Sequence, residues 1–197
     1  MSSIRGTMPV LEGQALEDYI QQFIVGVSGL PGPMVRQRWQ PEPPNIPDFG
    51  VDWAACGITR HRPIGPYAAI IHHGDGDGYD EMQRHETLEI LVSFYGPNAD
   101  DFAGNFHNGL MVWQNHSILR QVDMALVEVS EGVRVPEMIK MRWWDRVDKP
   151  LTLRREVRRS YPILNLVSAG GFVIADPGRP PQAPFQDPFT AAPPTIP

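Results

Sequence analysis

The sequence predicts an α+β fold: a mixed, mostly antiparallel sheet flanked by two or three helices, with an extended Pro-rich arm and C-terminal tail. Apolar residues fall at helical spacing in segment 16–27, whereas apolar and mixed positions alternate in segment 87–95 as they do in a strand. Proline is the third observation, because the 197-residue chain contains 21 prolines, about twice the usual share. They cluster in residues 31–47 and 177–197.

The first third of the chain predicts one helix followed by strands. The apolar face of this helix consists of Leu16, Tyr19, Ile20, Phe23, Ile24 and Val27. Gly26, Gly29 and Pro31 are expected to end it. Strands are expected over residues 34–38, 51–62 and 66–73. A loop rich in glycine and aspartate is expected over residues 74–80.

Strand 87–95 is the clearest of the chain, and two helices are predicted to follow it. Its one apolar face consists of Leu88, Ile90, Val92 and Phe94. Asn98 is the expected N-cap of a helix over residues 99–112. The apolar side of that helix is predicted to carry Phe102, Phe106, Leu110 and Trp113. A second helix is expected over residues 115–122, and a short strand around Val127 and Val129.

The remainder of the folded part predicts a β-hairpin with arms at residues 138–147 and 151–161, joined by Asp148, Lys149 and Pro150. The first arm is expected to bury Ile139, Met141, Trp143 and Val147, and the second Leu151, Leu153, Val157 and Tyr161. A last strand is expected within residues 165–175. We therefore expect a single α+β domain over residues 1–176 and a Pro-rich, extended or disordered tail over residues 177–197.

Cysteine content and hydropathy indicate the cellular environment in which the protein folds. Cys56 is the only cysteine, so an intrachain disulfide and a zinc site built of several thiolates are both excluded, and a small buried core residue is the favoured interpretation. No signal peptide is apparent, and no apolar run approaches the ~20 residues that span a bilayer. We expect a protein that folds in a reducing cytoplasm and has no membrane partner.

The glycine- and aspartate-rich loop is the strongest candidate for metal chemistry. Counted from Asp75, a calcium loop would have acidic residues at positions 1 and 3, the latter Asp77, and Glu86 at position 12. Position 6 is Asp80 where the sharp turn requires glycine, so a flexible acidic hairpin tip is the favoured interpretation. A metal-binding module or metal-dependent enzyme that uses the 75–86 region stays open as an alternative function.

Catalytic motifs are not found elsewhere in the sequence. His72 and His73 would face opposite sides of a strand, and the segment beginning at Ser168 does not match a nucleophile elbow. No phosphate loop or dinucleotide fingerprint occurs. We therefore expect a protein that is not an enzyme, with no catalytic residue, no cofactor and no metal ligand.

The arm over residues 39–47 reads Trp-Gln-Pro-Glu-Pro-Pro-Asn-Ile-Pro. Proline fixes φ and removes a backbone donor, so this segment should be neither helix nor central strand. A semi-rigid polyproline-like strap is expected, which rests either on its own domain or on a neighbouring subunit.

A basic segment at residues 134–159 points to protein–protein contact. It holds nine basic and four acidic residues, whereas the whole chain has a net charge of −6. This asymmetry suits docking between copies of the chain, although a solvated basic face is the alternative. Trp143 and Trp144 lie beside Arg142 and Arg146, and tryptophan and arginine are the preferred anchors of interfaces. We expect one tryptophan in the core and the other at a partner; a stacking platform for single-stranded nucleic acid is the alternative.

Three segments resemble the neck or tail-terminator proteins of contractile and other long-tailed bacteriophages. They read Arg38-Trp39-Gln40-Pro41-Glu42-Pro43-Pro44, Val92-Ser93-Phe94-Tyr95-Gly96-Pro97-Asn98-Ala99 and Arg158-Arg159-Ser160-Tyr161-Pro162-Ile163-Leu164-Asn165. The resemblance covers residues 15–175. It implies a small α+β subunit of the virion, assembled in the host cytoplasm, that forms a sixfold ring, caps the finished tail tube and joins it to the neck connector. DNA would pass through the central channel without specific binding.

The resemblance supplies no catalytic or metal residues but gives the surface residues a context. The tail tube, the connector and the sheath are the partners expected besides other copies of the chain. The interface candidates are Arg36, Arg38, Trp39, Pro41, Pro43, Pro44, Arg142, Trp144, Arg146, Arg154 and Arg158. The candidates for the channel lining or an acidic loop are Asp75, Asp77, Asp80 and Glu81. A head-completion or connector subunit of the same neck is the nearest alternative.

Overall fold

A computed structural model describes residues 10–65, 68–74, 78–163, 170–174 and 186–190 of the chain. The chain divides into two compact units. The first comprises Met1–Ala69 and Met82–Arg159, and the second comprises Ile70–Glu81 and Ser160–Pro197.

The described residues form three α-helices and eleven strands. The helices are α1 (Gly13–Ser28), α2 (Ala99–Leu110) and α3 (Trp113–Arg120). The strands are β1 (Val35–Gln37), β2 (Trp53–Pro63), β3 (Ala69–His73), β4 (Tyr79–Tyr95), β5 (Met124–Val129), β6 (Val133–Arg134), β7 (Glu137–Ile139), β8 (Arg142–Trp144), β9 (Arg146–Pro162), β10 (Gly170–Ile174) and β11 (Gln186–Thr190).

Seven strands form one mixed sheet. Its main order is β1-β2-β4-β9-β5, while β3 pairs with β4 and β6 pairs with β9. Strand β1 is parallel to β2, whereas β2–β4, β5–β9 and β6–β9 are antiparallel. The predicted α+β class, with a mostly antiparallel sheet, is confirmed.

One face of this sheet is covered by helices and forms the main core. Alternation along β4 places Leu88, Ile90, Val92 and Phe94 on that face, each at most 1% exposed, as the sequence pattern predicts. The facing side of α1 contributes Leu16, Ile20, Phe23 and Ile24. Gly29 ends α1 in the left-handed conformation, with φ of 77°, which explains the predicted helix end.

The two longer helices approach each other closely at one glycine. A Cβ atom on Gly109 of α2 would lie 2.7 Å from Cγ1 of Val27, so no side chain fits there. Phe106, three residues earlier, is fully buried beside Phe94, with 5.6 Å between ring centroids. Together these contacts fix α2 on the sheet.

The prediction of a hairpin that turns around Pro150 is wrong. Strand β9 runs without a turn from Arg146 to Pro162. The strand accommodates Pro150, which lacks a backbone N–H group, because neither β5 nor β6 pairs with β9 at that position. The pairing of β9 with β5 ends at Leu151, and its pairing with β6 begins at Asp148, so Pro150 lies in the gap between them. Its carbonyl still accepts a 3.0 Å hydrogen bond from the Ser130 amide.

The turn of this region lies at Lys140 and Met141 instead. Both residues have positive φ, 50° and 63°, and they join β7 to β8 as a two-residue hairpin loop. The predicted apolar face of this arm is therefore also wrong, because Met141 is 89% exposed and Trp143 is 64% exposed. Tyr161 in the other predicted arm is exposed as well.

Trp113 does not lie on the apolar side of α2, contrary to the prediction. Helix α2 ends at Leu110 and α3 begins at Trp113, and the indole is 65% exposed. The second predicted helix is confirmed with a start two residues earlier than expected.

The second unit contains a local hairpin and a two-stranded sheet. Nδ1 of His72 in β3 lies 2.9 Å from Oδ1 of Asp80, and the ring of His73 stacks on Tyr79. Strands β10 and β11 pair antiparallel, from Gly170 opposite Thr190 to Ile174 opposite Gln186. Strand β10 overlaps the predicted strand at 165–175, and β11 lies in the predicted tail.

None of the helices in the described ranges combines the length and the apolarity needed to cross a membrane.

Candidate assembly surface

The sheet of the first unit has a second face, which we call the open face, on the side opposite the helices. Alternation along the strands assigns residues to it, since their neighbours point into the helix-covered core. Its members are Arg36, Trp53, Ala55, Gly57, Ser93, Tyr95, Arg146, Asp148, Arg154, Glu156 and Arg158. Four of the predicted interface arginines, from β1 and β9, are thus brought to one face, and Arg38 joins them just beyond β1.

Aromatic rings and guanidinium groups pack against one another on the open face. The rings of Trp53 and Tyr95 stack with centroids 4.2 Å apart and planes 7° from parallel. The guanidinium of Arg36 lies 5.7 Å from the Trp53 ring, and that of Arg146 lies 5.6 Å from Tyr95. Cation–π contacts of this kind stabilise the arginines in fixed positions.

Arg146 is held within its own subunit. Its Nε and Nη2 donate to the two carboxylate oxygens of Asp148 at 2.7 and 2.8 Å, and Nη1 donates to Glu137 at 2.9 Å. Burial opposes its charge, but these carboxylates hold the pKa of Arg146 above its usual value. Arg146 therefore ties the β7–β8 hairpin to the sheet, and its side chain is 17% exposed.

Arg38 extends the same network to the sheet edge. Its Nη2 donates to the Ser93 hydroxyl, which in turn donates to Asp148. The Arg38 amide donates to the carbonyl of Cys56 at 2.7 Å. A continuous polar network thus runs from the end of β1, across β4, to β9.

The β7–β8 hairpin buries one tryptophan of the predicted pair and exposes the other. Trp144 is 5% exposed and meets the edge of the Phe49 ring, with centroids 5.5 Å apart. The guanidinium of Arg142 covers Phe49 at 5.2 Å. Trp144 therefore packs inside the subunit, and Trp143 is the tryptophan that a partner can reach.

The proline-rich arm rests on the open face through its two ends. The Trp39 ring lies so close to Gly57 that a Cβ atom there would be 3.0 Å from it, and yet Trp39 is 68% exposed. At the other end Phe49 packs on Trp144, and Nη1 of Arg36 donates to the carbonyl of Asn45. Between these anchors the segment is neither helix nor strand, and Pro41, Pro43 and Pro44 are exposed.

Sequence reasoning missed Phe49, Glu137 and Trp53 as parts of this surface. Phe49 had one usable signal, since an isolated aromatic residue directly after a proline run needs a packing partner. Trp53 was assignable to the open face from the alternation of β2. Glu137 gave no signal, because its role depends on a hairpin turn that the sequence does not mark.

Most of the basic segment is neutralised within the subunit, which corrects the expected docking charge. Four arginines besides Arg146 bind carboxylates: Arg134 binds Asp100, Arg155 binds Glu86, Arg158 binds Glu156 and Arg159 binds Glu12. Burial lowers the pKa of Lys149. Lys140, Arg142 and Arg154 are exposed and make no ion pair within the described ranges, so these three cations of the basic segment are left for a partner.

The acidic-loop candidates are only partly described. Asp75 and Asp77 lie outside the described residues, Asp80 contacts His72, and an oxygen of Glu81 lies 3.6 Å from Nε2 of His73. Glu86, at position 12 of the hypothetical calcium loop, is 3% exposed and bound to Arg155. Within the described ranges no three histidine, cysteine or acidic side chains are grouped as metal ligands.

Cys56 is a core residue, as predicted. It is 1% exposed, and burial raises the pKa of its thiol to about 12. The thiolate required for nucleophilic chemistry is therefore not formed at neutral pH.

A comparison with protein families identifies the molecule. The model of the phage neck terminator protein family matches residues 14–176, which include the helices, the main sheet and the arm. The chain belongs to this family. The resemblance noted from the arm, the end of β4 and the end of β9 is thereby confirmed, and the chain is a structural phage neck terminator protein. No curated protein matches the chain.

Proposed function

We propose that copies of this terminator form a ring of six that closes the end of the tail tube and joins it to the neck connector. DNA passes through the central channel. The family match over residues 14–176 carries the proposal. The open face supports it, because a sheet face packed by arginines and aromatic rings, and not by helices, is suited to contacts between proteins.

The interface of the ring uses the exposed members of the open face and the arm. These are Trp39, Pro41, Pro43, Pro44, Arg142, Trp143 and Arg154. Arg36, Arg38 and Arg146 act indirectly, because their side chains fix the arm and the hairpin to the sheet. Other surfaces of the ring meet the tail tube, the connector and, in a contractile tail, the sheath.

The acidic loop contributes to the channel lining in this proposal. Asp75, Asp77, Asp80 and Glu81 place negative charge where the DNA phosphates pass. Like charges repel, so the genome slides through without binding. The role is mechanical throughout and requires neither a catalytic residue nor a bound metal.

Native mass measurement combined with negative-stain images of the purified protein tests the ring. We expect a closed particle of six copies with a central hole. A particle of twelve copies that binds the portal would show instead a connector subunit, and a protein that stays monomeric at all concentrations would contradict a self-assembling ring.

Complementation tests the role in the virion. A phage that lacks this gene should produce filled heads and tails that do not join, and the gene supplied in the host cytoplasm should restore joined virions that contain the protein. Normal virions without the protein would refute the proposal.

A further inference from the structure

The corner between α2 and α3 exposes a group of apolar side chains, which we call the Trp113 ledge. Trp113 is 65% exposed, and the neighbouring Met111, Val112 and Ile118 are 56%, 47% and 42% exposed. Three of these exposed apolar residues are consecutive in the chain, and exposed apolar residues grouped in this way are typical of a contact site. The guanidinium of Arg120 lies 4.3 Å from the Trp113 ring centroid and gives the ledge a positive end.

Hydrogen bonds and ring contacts hold the Trp113 ledge in a fixed position. The ring of His116 stacks beside Trp113 with centroids 6.4 Å apart, and its Nε2 lies 2.6 Å from the carbonyl of Leu110. Nδ2 of Asn115 donates to the carbonyl of Gly109 at 2.7 Å. The last turn of α2 therefore holds α3 in place, and the indole is presented from a fixed helix start.

The arm has the matching chemistry. Pro41, Pro43 and Pro44 are exposed, and proline-rich extended segments dock with little loss of entropy on surfaces lined by aromatic rings. Glu42 stands between these prolines, is exposed, and makes no ion pair within the described ranges. A carboxylate flanked by prolines complements an indole flanked by an arginine.

We propose that residues 41–44 of one copy of this chain dock on the Trp113 ledge of the next copy, with the Glu42 carboxylate against the Arg120 guanidinium. This inference rests on the proposed function and specifies which surface the arm grips in the ring.

The placement of the two surfaces fits a ring. The arm is anchored on the open face through Trp39 and Phe49, whereas α3 packs into the helix-covered core through Leu119. Arm and ledge therefore lie on different sides of one subunit. A contact between two different surfaces is heterologous, and it forms a ring when the rotation from one copy to the next closes after a whole number of copies.

Cysteine cross-linking tests the contact directly. Pro43→Cys and Val112→Cys are introduced singly and together into the full chain, and disulfide formation is followed on denaturing gels. Native Cys56 stays silent because it is buried and its thiol pKa is raised to about 12. Pro43→Cys with Thr59→Cys, at an exposed position of β2, is the matched control pair.

The doubly substituted protein should form a ladder of covalent oligomers, and an equimolar mixture of the two single variants should form a heterodimer. The control pair should form neither. A ring that assembles without these cross-links, or a disulfide formed only within one chain, would overturn the contact and leave the proposed ring standing. A protein without any oligomer would overturn both, and complementation in the phage would still decide its role in the neck.

Charge reversal provides the second test. Glu42→Arg and Arg120→Glu should each weaken assembly about tenfold, measured as the concentration at half-assembly, because each places like charges together. The double variant should recover most of the loss. Equal defects in the single and double variants would contradict pairing of these two residues.

Discussion

The two faces of one sheet differ in how they are held. The helix-covered face is packed with aliphatic and phenylalanine side chains, such as Ile90, Phe94 and Phe106, that are at most 1% exposed. The open face is held by ion pairs, cation–π contacts and a stacked Trp53–Tyr95 pair. Its cover is a proline-rich arm and a small hairpin.

Under the proposed function, this difference separates folding of the subunit from its assembly. Burial of apolar surface supplies most of the stability of a domain, and that burial is concentrated on the helix side. On the open face, Trp143 and the arm prolines are exposed and contribute little to packing inside the subunit. Changes on the helix side should therefore unfold the subunit, and changes at exposed positions of the open face should leave it folded and impair assembly.

Phe106→Ala should have the largest effect on stability. Removal of this fully buried ring leaves a cavity beside Phe94, and we expect a loss of about 3–5 kcal/mol in the free energy of unfolding. Denaturant unfolding measures it. Phe102→Ala, at a half-buried position of the same helix, is the control and should cost clearly less. Equal losses would show that full burial beside Phe94 does not set the contribution of Phe106.

Asp148→Ala should have the next largest effect and tests whether the open face also contributes to folding. It removes the bidentate partner of Arg146 and the acceptor of Ser93, so that Glu137 alone remains to pair with the largely buried guanidinium. We expect a loss of about 2–4 kcal/mol in the free energy of unfolding. The matched control is Asp145→Ala, at an exposed position, which should change unfolding by less than about 0.5 kcal/mol. If both variants unfold like the wild type, the polar network does not support the sheet.

Two glycines of α2 test how closely the helices pack on the helix-covered side of the sheet. Gly109→Ala should destabilise by about 1–3 kcal/mol, because the added methyl group would overlap Val27. Gly104→Ala has open space around its Cβ position and should stabilise the helix by up to about 1 kcal/mol. Thermal unfolding of the two variants is the measurement, and shifts of the same sign would contradict the close approach of α1 and α2.

Trp143→Ala should have the smallest effect on folding. Its side chain is 64% exposed, so the unfolding free energy should change by less than about 0.5 kcal/mol, while ring assembly weakens. Trp144→Ala is the reverse control, because it removes a buried ring that packs on Phe49. Sedimentation and denaturant unfolding of both proteins separate the two effects. A destabilised Trp143→Ala protein with normal assembly would reverse their assignment.

Much of the fold follows from side-chain period. The helix α1 and the buried face of β4 were predictable because apolar residues recur at 3.6 and at 2 residues respectively. The long β9 was not predictable, because Asp148-Lys149-Pro150 has the composition of a turn. The strand accommodates Pro150 because neither β5 nor β6 pairs with β9 at that position. The turn lies instead at Lys140 and Met141, which both have positive φ. Two-residue turns of this kind usually have the sequence Asn-Gly, so Lys-Met gives no signal of a turn.

For the candidate assembly surface, the sequence indicated the residue types but not which side chains are exposed. The arginine and tryptophan residues were predicted as interface candidates from their type, and the structure brings Arg36, Arg146 and Arg154 together through β-strand alternation. Sequence could not decide which of Trp143 and Trp144 is buried, because that depends on the turn position. Nor could it show that carboxylates distant in sequence, such as Glu12 and Glu86, neutralise the basic segment.

The most direct test of the separation between folding and assembly is the native mass of the protein after removal of residues 40–47. The exposed part of the arm contributes little to either core, so we predict a subunit that keeps a cooperative unfolding transition but no longer forms the wild-type ring. An intact ring of wild-type copy number, or a subunit that no longer folds, would contradict this account.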